Sequence, residues 1–214
     1  MIQAVLFDMD GVLVDSEEFI CKAAIIMFQE KGYKVQEKDF IPFIGTGENR
    51  YLGGVAEKYG IPFDEVKDKK RTYEIYGEIT RGKLKPLPGV EQFIRKCKDR
   101  KLKIAVATSA DEVKMLTNLR EIGIPAALFD TTVNGLEVER KKPFPDIYLL
   151  AASRLQVSPF NCLVVEDALS GEKSGKEAGC KVLAITSSFK ADEFLLAEWN
   201  ADDLSCAPEE CLDW

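Results

Sequence analysis

The sequence contains no histidine. That absence removes Ser-His-Asp and Cys-His nucleophilic machinery and every histidine-ligated metal centre. Acid–base work is left to carboxylates, Lys, Tyr or Cys. The six cysteines, Cys21, Cys97, Cys162, Cys180, Cys206 and Cys211, include no C-x-x-C pair, and without histidine they complete no zinc site. They read as reduced thiols of an intracellular protein. Basic residues are also in deficit: 29 Lys and Arg face 36 Asp and Glu, for a net charge of −7. No basic footprint for nucleic acid results, although an acidic protein still binds phosphate through local donors and a metal. No apolar run approaches the length of a membrane span, so no membrane partner is expected. The first strand pattern begins almost at Met1, with no signal or transit pattern ahead of it, and the expected location is cytoplasmic. What remains is ordinary for a globular protein: 46% hydrophobic residues in 214 positions, enough for one or two domains. A monomer is expected.

The stretch Ala4 to Glu17, AVLFDMDGVLVDSE, organises the chain. A run of apolar residues bounded by a turn residue reads as a buried strand. Asp8 and Asp10 follow it, then Gly11. Carboxylates at the end of such a strand point into the crevice where open α/β sheets bind ligands. Two like charges this close repel, and they become tolerable when a cation sits between them or one holds a proton.

Residues 16–84 are helical in pattern. Glu17 to Lys31 carries an apolar stripe closed by Gly32, a glycine-bearing loop from Phe40 to Arg50 enters a helix ending near Gly60, and Asp64 to Ile79 is a long charged helix. From Pro86 the pattern alternates. Strands are expected at 102–107, weakly within 128–133, at 162–165 and at 181–185. Helices are expected at 90–100, 112–122, 145–155, 170–178 and finally 192–199, with an i, i+4 pair between Glu172 and Lys176. The tail from Pro208 is acidic and weakly patterned. Such alternation implies βαβ crossovers and a parallel sheet. The expected fold is α/β, a Rossmann-like three-layer core of residues 1–15 and 85–214, with an all-helical cap of residues 16–84 inserted after the first strand.

The polar residues at successive strand ends should meet at one sheet edge: Asp8 and Asp10, Thr108 and Ser109, Lys142 in the loop after the weak strand, and Glu166 with Asp167. That is an inventory for metal-assisted phosphoryl transfer. Asp8 can attack phosphorus, and Mg²⁺, a hard cation, suits Asp8, Asp167 and a backbone carbonyl near Asp10. Thr108 or Ser109 can hold phosphate oxygens, Lys142 adds a point charge, and Asp10 is free to move protons.

These pieces together resemble the haloacid dehalogenase superfamily of phosphohydrolases across essentially the whole chain. DMDGVLVDSE is similar to its first motif, Thr108 to its second, KKPFPDIY with Lys142 to its third, and VVEDALSG with Glu166 and Asp167 to its fourth. The helical insertion resembles the cap of the subgroup containing β-phosphoglucomutase and small sugar-phosphate phosphatases. The resemblance implies that Asp8 is the nucleophile and Asp10 the general acid/base. It puts Mg²⁺ on Asp8, the Asp10 carbonyl and Asp167, with Glu166 in its shell. An acid at Asp10, which the dehalogenase branch lacks, favours phosphoryl transfer over C–halogen cleavage.

Two positions depart from the mutase pattern. Ile20 stands about where a histidine follows the first motif, and Glu48 near where the cap carries an arginine, with Arg50 close by. Both favour hydrolysis. The implied activity is a Mg²⁺-dependent phosphatase of a small phosphorylated metabolite, a sugar phosphate by subgroup. The alternatives are a phosphosugar mutase and a non-catalytic regulatory domain on the same fold. Gly45, Glu48, Asn49 and Arg50 are the candidate substrate readers of the cap, in a loop that reads equally as a helix-entry turn. FIGTGENRYLGGVAEKY is also similar to part of the phosphatase-like domain of a large plant chloroplast protein, which makes a chloroplast stroma the alternative location.

Overall fold

The computed structural model describes residues 1–43 and 47–214, and of Glu48 the backbone alone. The strands β1 (Ala4–Phe7), β2 (Lys103–Ala107), β3 (Thr131–Val133), β4 (Cys162–Glu166), β5 (Lys181–Ile185) and β6 (Trp199–Ala201) form one sheet in the order β3-β2-β1-β4-β5-β6. Every pairing is parallel. The chain leaves β1 toward one edge through β2 and β3, then returns to the other side of β1 with β4. The reversal opens a crevice at the carboxyl end of β1, between β2 and β4.

Strand residues alternate between two cores because successive side chains point to opposite faces. The helices between β1 and β2 are α1 (Glu17–Glu30), α2 (Glu48–Tyr59), α3 (Glu65–Thr80) and α4 (Val90–Asp99). Later in the chain come α5 (Glu112–Glu121), α6 (Asp146–Leu155) and α7 (Leu169–Glu177). Val5, Phe7, Ile104, Val106, Leu163 and Val165 share a core with Phe93 and Ile94 of α4 and Met115 and Leu119 of α5. On the opposite face Ala4, Leu6, Ala105, Ala107 and Val164 pack against Ile147, Tyr148, Ala151 and Ala152 of α6. The small alanines there let α6 lie close to the sheet. Helix, sheet and helix make three layers, the expected Rossmann-like arrangement.

The insertion between β1 and β2 is helical as expected. Helices α1 and α3 pack on each other, burying Ala24, Met27 and Phe28 of the first and Tyr73 and Tyr76 of the second. Asp64 caps α3 by accepting from the amides of Val66 and Lys67 at 3.2 and 3.0 Å. The two chain passages between insertion and sheet run side by side: the Leu87 amide donates to the Leu13 carbonyl at 3.0 Å, and Val14 bridges Pro86 in antiparallel fashion. Side chains also link insertion and sheet layers. Lys69 of α3 pairs with Asp111 at 2.8 Å, and the Tyr76 hydroxyl donates to Asn118 of α5.

Two sequence expectations fail on the β5 side. Residues 192–199 form no long helix. A 3₁₀ turn at Ala191–Glu193 is followed by an irregular stretch and then a sixth strand. The amides of Leu196 and Ala197 donate to the buried carboxylate of Glu172 at 2.7 and 2.8 Å. Glu198 accepts the Val182 amide at 2.8 Å and so clamps the segment along β5. For the same reason the expected Glu172–Lys176 pair is absent: Glu172 serves the amides, and Lys176 pairs with Glu198. The weak third strand is three residues long. No described helix is long and apolar enough to cross a membrane.

Candidate active site

The crevice gathers the strand-end residues. The Asp8 amide donates to the Val165 carbonyl at 2.9 Å, carrying the ladder one residue beyond β1 and fixing the carboxylate at the sheet edge. The Lys142 ammonium donates to Asp8 at 2.5 Å and also to Glu166. It lies 5.1 Å from the Tyr148 ring centroid, and the Tyr148 hydroxyl donates to Glu166 at 2.7 Å. The second oxygen of Glu166 accepts the amides of Asp167 and Ala168 at 3.0 and 3.1 Å. Asp167 accepts from the hydroxyl of Ser188, with that of Ser187 at 3.4 Å.

Acceptor oxygens of Asp8, Glu166 and Asp167 lie within 4.8 Å of one another, a set able to hold a metal ion. All three are hard carboxylate donors, which suits Mg²⁺ rather than a soft metal. The backbone makes room for them. A Cβ on Gly11, whose φ is +74°, would sit 2.0 Å from the Asp167 carboxylate, and one on Gly171 would sit 1.8 Å from Glu166.

Burial dominates the electrostatics here. Removal from water pushes the Asp8 carboxyl up to about 7, with Glu166 and Asp10 adding to the rise and Lys142 opposing it. Asp167 is raised well above the usual carboxylate range by burial and then by Glu166 and Asp8. Burial works against the Lys142 cation, but Asp8 and Glu166 outweigh it and hold the ammonium above its ordinary value. Three crowded acids with one ammonium retain an excess of negative charge that a cation would relieve.

Asp10 stands apart from this cluster. One of its oxygens accepts from Ser16, with Asn118 at 3.4 Å; the other accepts from Lys114 at 2.7 Å. Asn118 in turn receives the Tyr76 hydroxyl, so α3 reaches Asp10 through one intermediary. Lys114 and Asn118 were not read as functional in the sequence. Their i, i+4 spacing on the helix after Thr108-Ser109 was the available signal, since it places both on one face toward β1. Ser187 and Ser188 follow β5 as Thr108 and Ser109 follow β2, and the same strand-end rule would have found them.

Thr108 and Ser109 line the cavity with Asp8, Asp10, Lys142, Glu166 and Asp167. The Thr108 hydroxyl accepts the Ala110 amide at 3.1 Å, which orients it. The cavity measures about 630 Å³, and from the insertion it receives Glu17, Ile20, Ile41, Phe43, Gly47 and Tyr51. The candidate cap readers are placed differently. Asn49 is held by Glu65 and Lys69, and Arg50 pairs with Glu57 at 2.7 Å over the Phe43 ring. Both are exposed, and neither is among the lining residues. Gly45 and the side chain of Glu48 lie outside the described residues.

Comparison with known proteins converges on one group. The family model for haloacid dehalogenase-like hydrolases matches residues 5–185. The chain belongs to that family. Among its members, a phosphorylated carbohydrates phosphatase of Thermotoga maritima is 34% identical over 99% of this chain and 97% of its own length. The chloroplastic protein SUPPRESSOR OF QUENCHING 1 of Arabidopsis thaliana is 41% identical over 87% of this chain, which spans only 18% of that protein's length. Among solved structures, CbbY of Rhodobacter sphaeroides in complex with phosphate superposes with a TM-score of 0.89 at 26% identity, covering 100% of both chains. This haloacid dehalogenase-like hydrolase thus has phosphatases among its full-length relatives. The family generally uses Mg²⁺, and the cluster of Asp8, Glu166 and Asp167 could hold such an ion.

Proposed function

We propose that the chain is a Mg²⁺-dependent phosphatase of a small phosphorylated carbohydrate, working through a phosphoryl group carried on Asp8. The observation that carries this reading is the convergence of Asp8, Lys142, Glu166 and Asp167 beneath one cavity, with Asp10 held separately by Lys114 and Ser16. The names of the relatives support the substrate class.

Asp8, Asp167 and the Asp10 carbonyl would hold the cation, with Glu166 behind them. When bound, it supplies positive charge that offsets repulsion between the anionic nucleophile and the phosphate. A carboxylate oxygen of Asp8 attacks phosphorus, and the bond to the leaving oxygen breaks. Lys142 stabilises charge on the phosphoryl oxygens and, by opposing the upward shift that burial imposes on Asp8, favours its ionised form. Thr108 and Ser109 bind the remaining oxygens. Asp10, free of the cation through its side chain, protonates the leaving oxygen and then takes a proton from the water that attacks the Asp8 phosphoryl group. Residues 16–84 act as a cap. Their helices roof the cavity and exclude bulk water during transfer.

The test is phosphate release from a panel of sugar phosphates and phenyl phosphate, with and without Mg²⁺. Release that requires Mg²⁺ and vanishes in an Asp8→Asn variant is expected. Full activity in EDTA, or in Asp8→Asn, would sink the mechanism.

A further inference from the structure

The two serines that follow β5 take no part in the chemistry proposed above, yet both reach the candidate metal ligands. Ser188 donates its hydroxyl to Oδ2 of Asp167, with the Ser187 hydroxyl 3.4 Å from the same oxygen. Ser187 also donates to the Gly11 carbonyl at 2.6 Å. A Cβ on Gly11 would sit 2.0 Å from that Oδ2. One oxygen of Asp167 is therefore enclosed by two hydroxyls and by the glycine backbone of the turn after β1. Ser187 ties that turn to the loop after β5.

A carboxylate presents either one oxygen or two to a cation, and the difference bears on which cation it suits. Ca²⁺ takes about six to eight oxygens at about 2.3–2.6 Å in a flexible shell, often with both oxygens of a carboxylate. Mg²⁺ demands near-octahedral geometry at about 2.0–2.1 Å and keeps several waters. The acids here have few oxygens to offer. Glu166 already uses both of its own, one on Lys142 and Tyr148 and the other on the amides of Asp167 and Ala168. Asp8 gives one oxygen to Lys142. With Oδ2 of Asp167 taken by the serines, Oδ1 is the oxygen left to a cation. Such a set is sparse for Ca²⁺ and sufficient for Mg²⁺ with water.

We infer that Ser187 and Ser188 are positioning residues that hold Asp167 to a single ligand oxygen and so set the preference of the cation site for Mg²⁺ over Ca²⁺. This rests on the metal-dependent reading above. The serines act through Asp167 and through the turn at Gly11, which carries the Asp10 carbonyl. Both are exposed, so water replaces part of the bonding when a hydroxyl is removed. The expected loss therefore lies at the lower end of the range for groups that support a metal ligand, about tenfold in affinity.

The measurement is calorimetric titration of the full chain with MgCl₂ and, separately, with CaCl₂. Ser188→Ala should weaken Mg²⁺ binding by about tenfold and Ca²⁺ binding by less, because a freed Asp167 can turn both oxygens to the larger ion. The ratio of the Ca²⁺ to the Mg²⁺ dissociation constant should then shrink by about threefold or more. Ser187→Ala should move the ratio the same way by a smaller factor, since its shorter bond goes to Gly11. Ser188→Thr keeps the hydroxyl and should keep the wild-type ratio. Thr186→Val removes a neighbouring hydroxyl that bonds Asp202 at 3.1 Å, and it should change neither constant. Unchanged Mg²⁺ affinity in Ser188→Ala, or equal losses for the two cations, would overturn the role of the serines while leaving the metal-dependent reading intact. A wild-type protein that binds no Mg²⁺ overturns that reading and this inference with it.

Discussion

Replacing Lys142 by Met tests the electrostatic account of the site directly. The Lys142 side chain is 5% exposed and lies between Asp8 and Glu166, whose side chains are 10% and 1% exposed. Methionine keeps the bulk beside Tyr148 but leaves two buried carboxylates facing each other. Breaking a buried ion pair by removing one partner costs about 3–5 kcal/mol. With a urea slope of about 2–3 kcal/mol per molar, the unfolding midpoint in EDTA at pH 7.5 should fall by about 1–2.5 M. The deficit should then shrink with acid. Lys142 holds the Asp8 carboxyl down to about 7 and its loss moves it further up, so at pH 5 Asp8 is neutral in both folded proteins. The repulsion is then relieved, and the midpoint difference should fall to about half or less of its pH 7.5 value. Urea melts of wild type and Lys142→Met at the two pH values decide the matter. Midpoints that coincide at pH 7.5, or a deficit that grows toward pH 5, would refute the reasoning. Turnover should drop by about 10²–10³, the usual cost of one charge-stabilising donor.

Three further outcomes follow from the same geometry. The wild-type protein in EDTA should lose stability as pH rises: Asp8 binds its proton up to about 7 in the folded state but only to about 3.8 when unfolded. Stability therefore declines through that window, by about 1.4 kcal/mol per unit at most, and levels off above it. Asp167 acts in the same direction, and Mg²⁺ should flatten the slope; a rising curve in EDTA would contradict the assignment. Gly171→Ala sets a Cβ 1.8 Å from the Glu166 carboxylate and should weaken Mg²⁺ binding by about 10–100-fold in a calorimetric titration, whereas an unchanged affinity would show that Glu166 does not support the cation. Glu172→Ala removes the acceptor for the Leu196 and Ala197 amides and should cost about 3 kcal/mol. Hydrogen exchange should accelerate from Phe194 to Ala201, and unchanged protection there would mean the clamp is idle.

The parts of this molecule that obey a short repeat were legible in the sequence. Continuous apolar runs at Ala4–Phe7 and up to Ala107, glycines after helices and the order of strand-end acids led to the parallel sheet and to the gathering of Asp8, Thr108, Lys142, Glu166 and Asp167. The family and enzyme class, a haloacid dehalogenase-type phosphatase, agree between that reading and the known relatives. Residues 192–199 misled because FLLAEW has a helical stripe, and nothing local shows that Glu172, some twenty residues earlier, will take its amides. The environment of Asp10 was hidden for a similar reason. Lys114 and Asn118, 104 and 108 positions along the chain from Asp10, reach it directly and Tyr76 reaches it through Asn118, only after α3 and α5 pack together. The polar residues of the α2 loop drew attention to Asn49 and Arg50, while the cavity is lined instead by Glu17 and by Tyr51, which reads as ordinary core in a helical stripe.

The side-by-side passages at Leu13–Val14 and Pro86–Leu87 have one more consequence. Seen from the sheet, the departing and returning strands of chain are neighbours, only as far apart as paired residues of an antiparallel ladder, about 5 Å. The seventy-odd residues beyond them could therefore be exchanged for another module, or for a short turn, without shifting the register of a single core strand. The fold is built like a socket. An insertion of another shape could stand there while Asp8, just beyond β1, and Glu166 on β4 stay where they are.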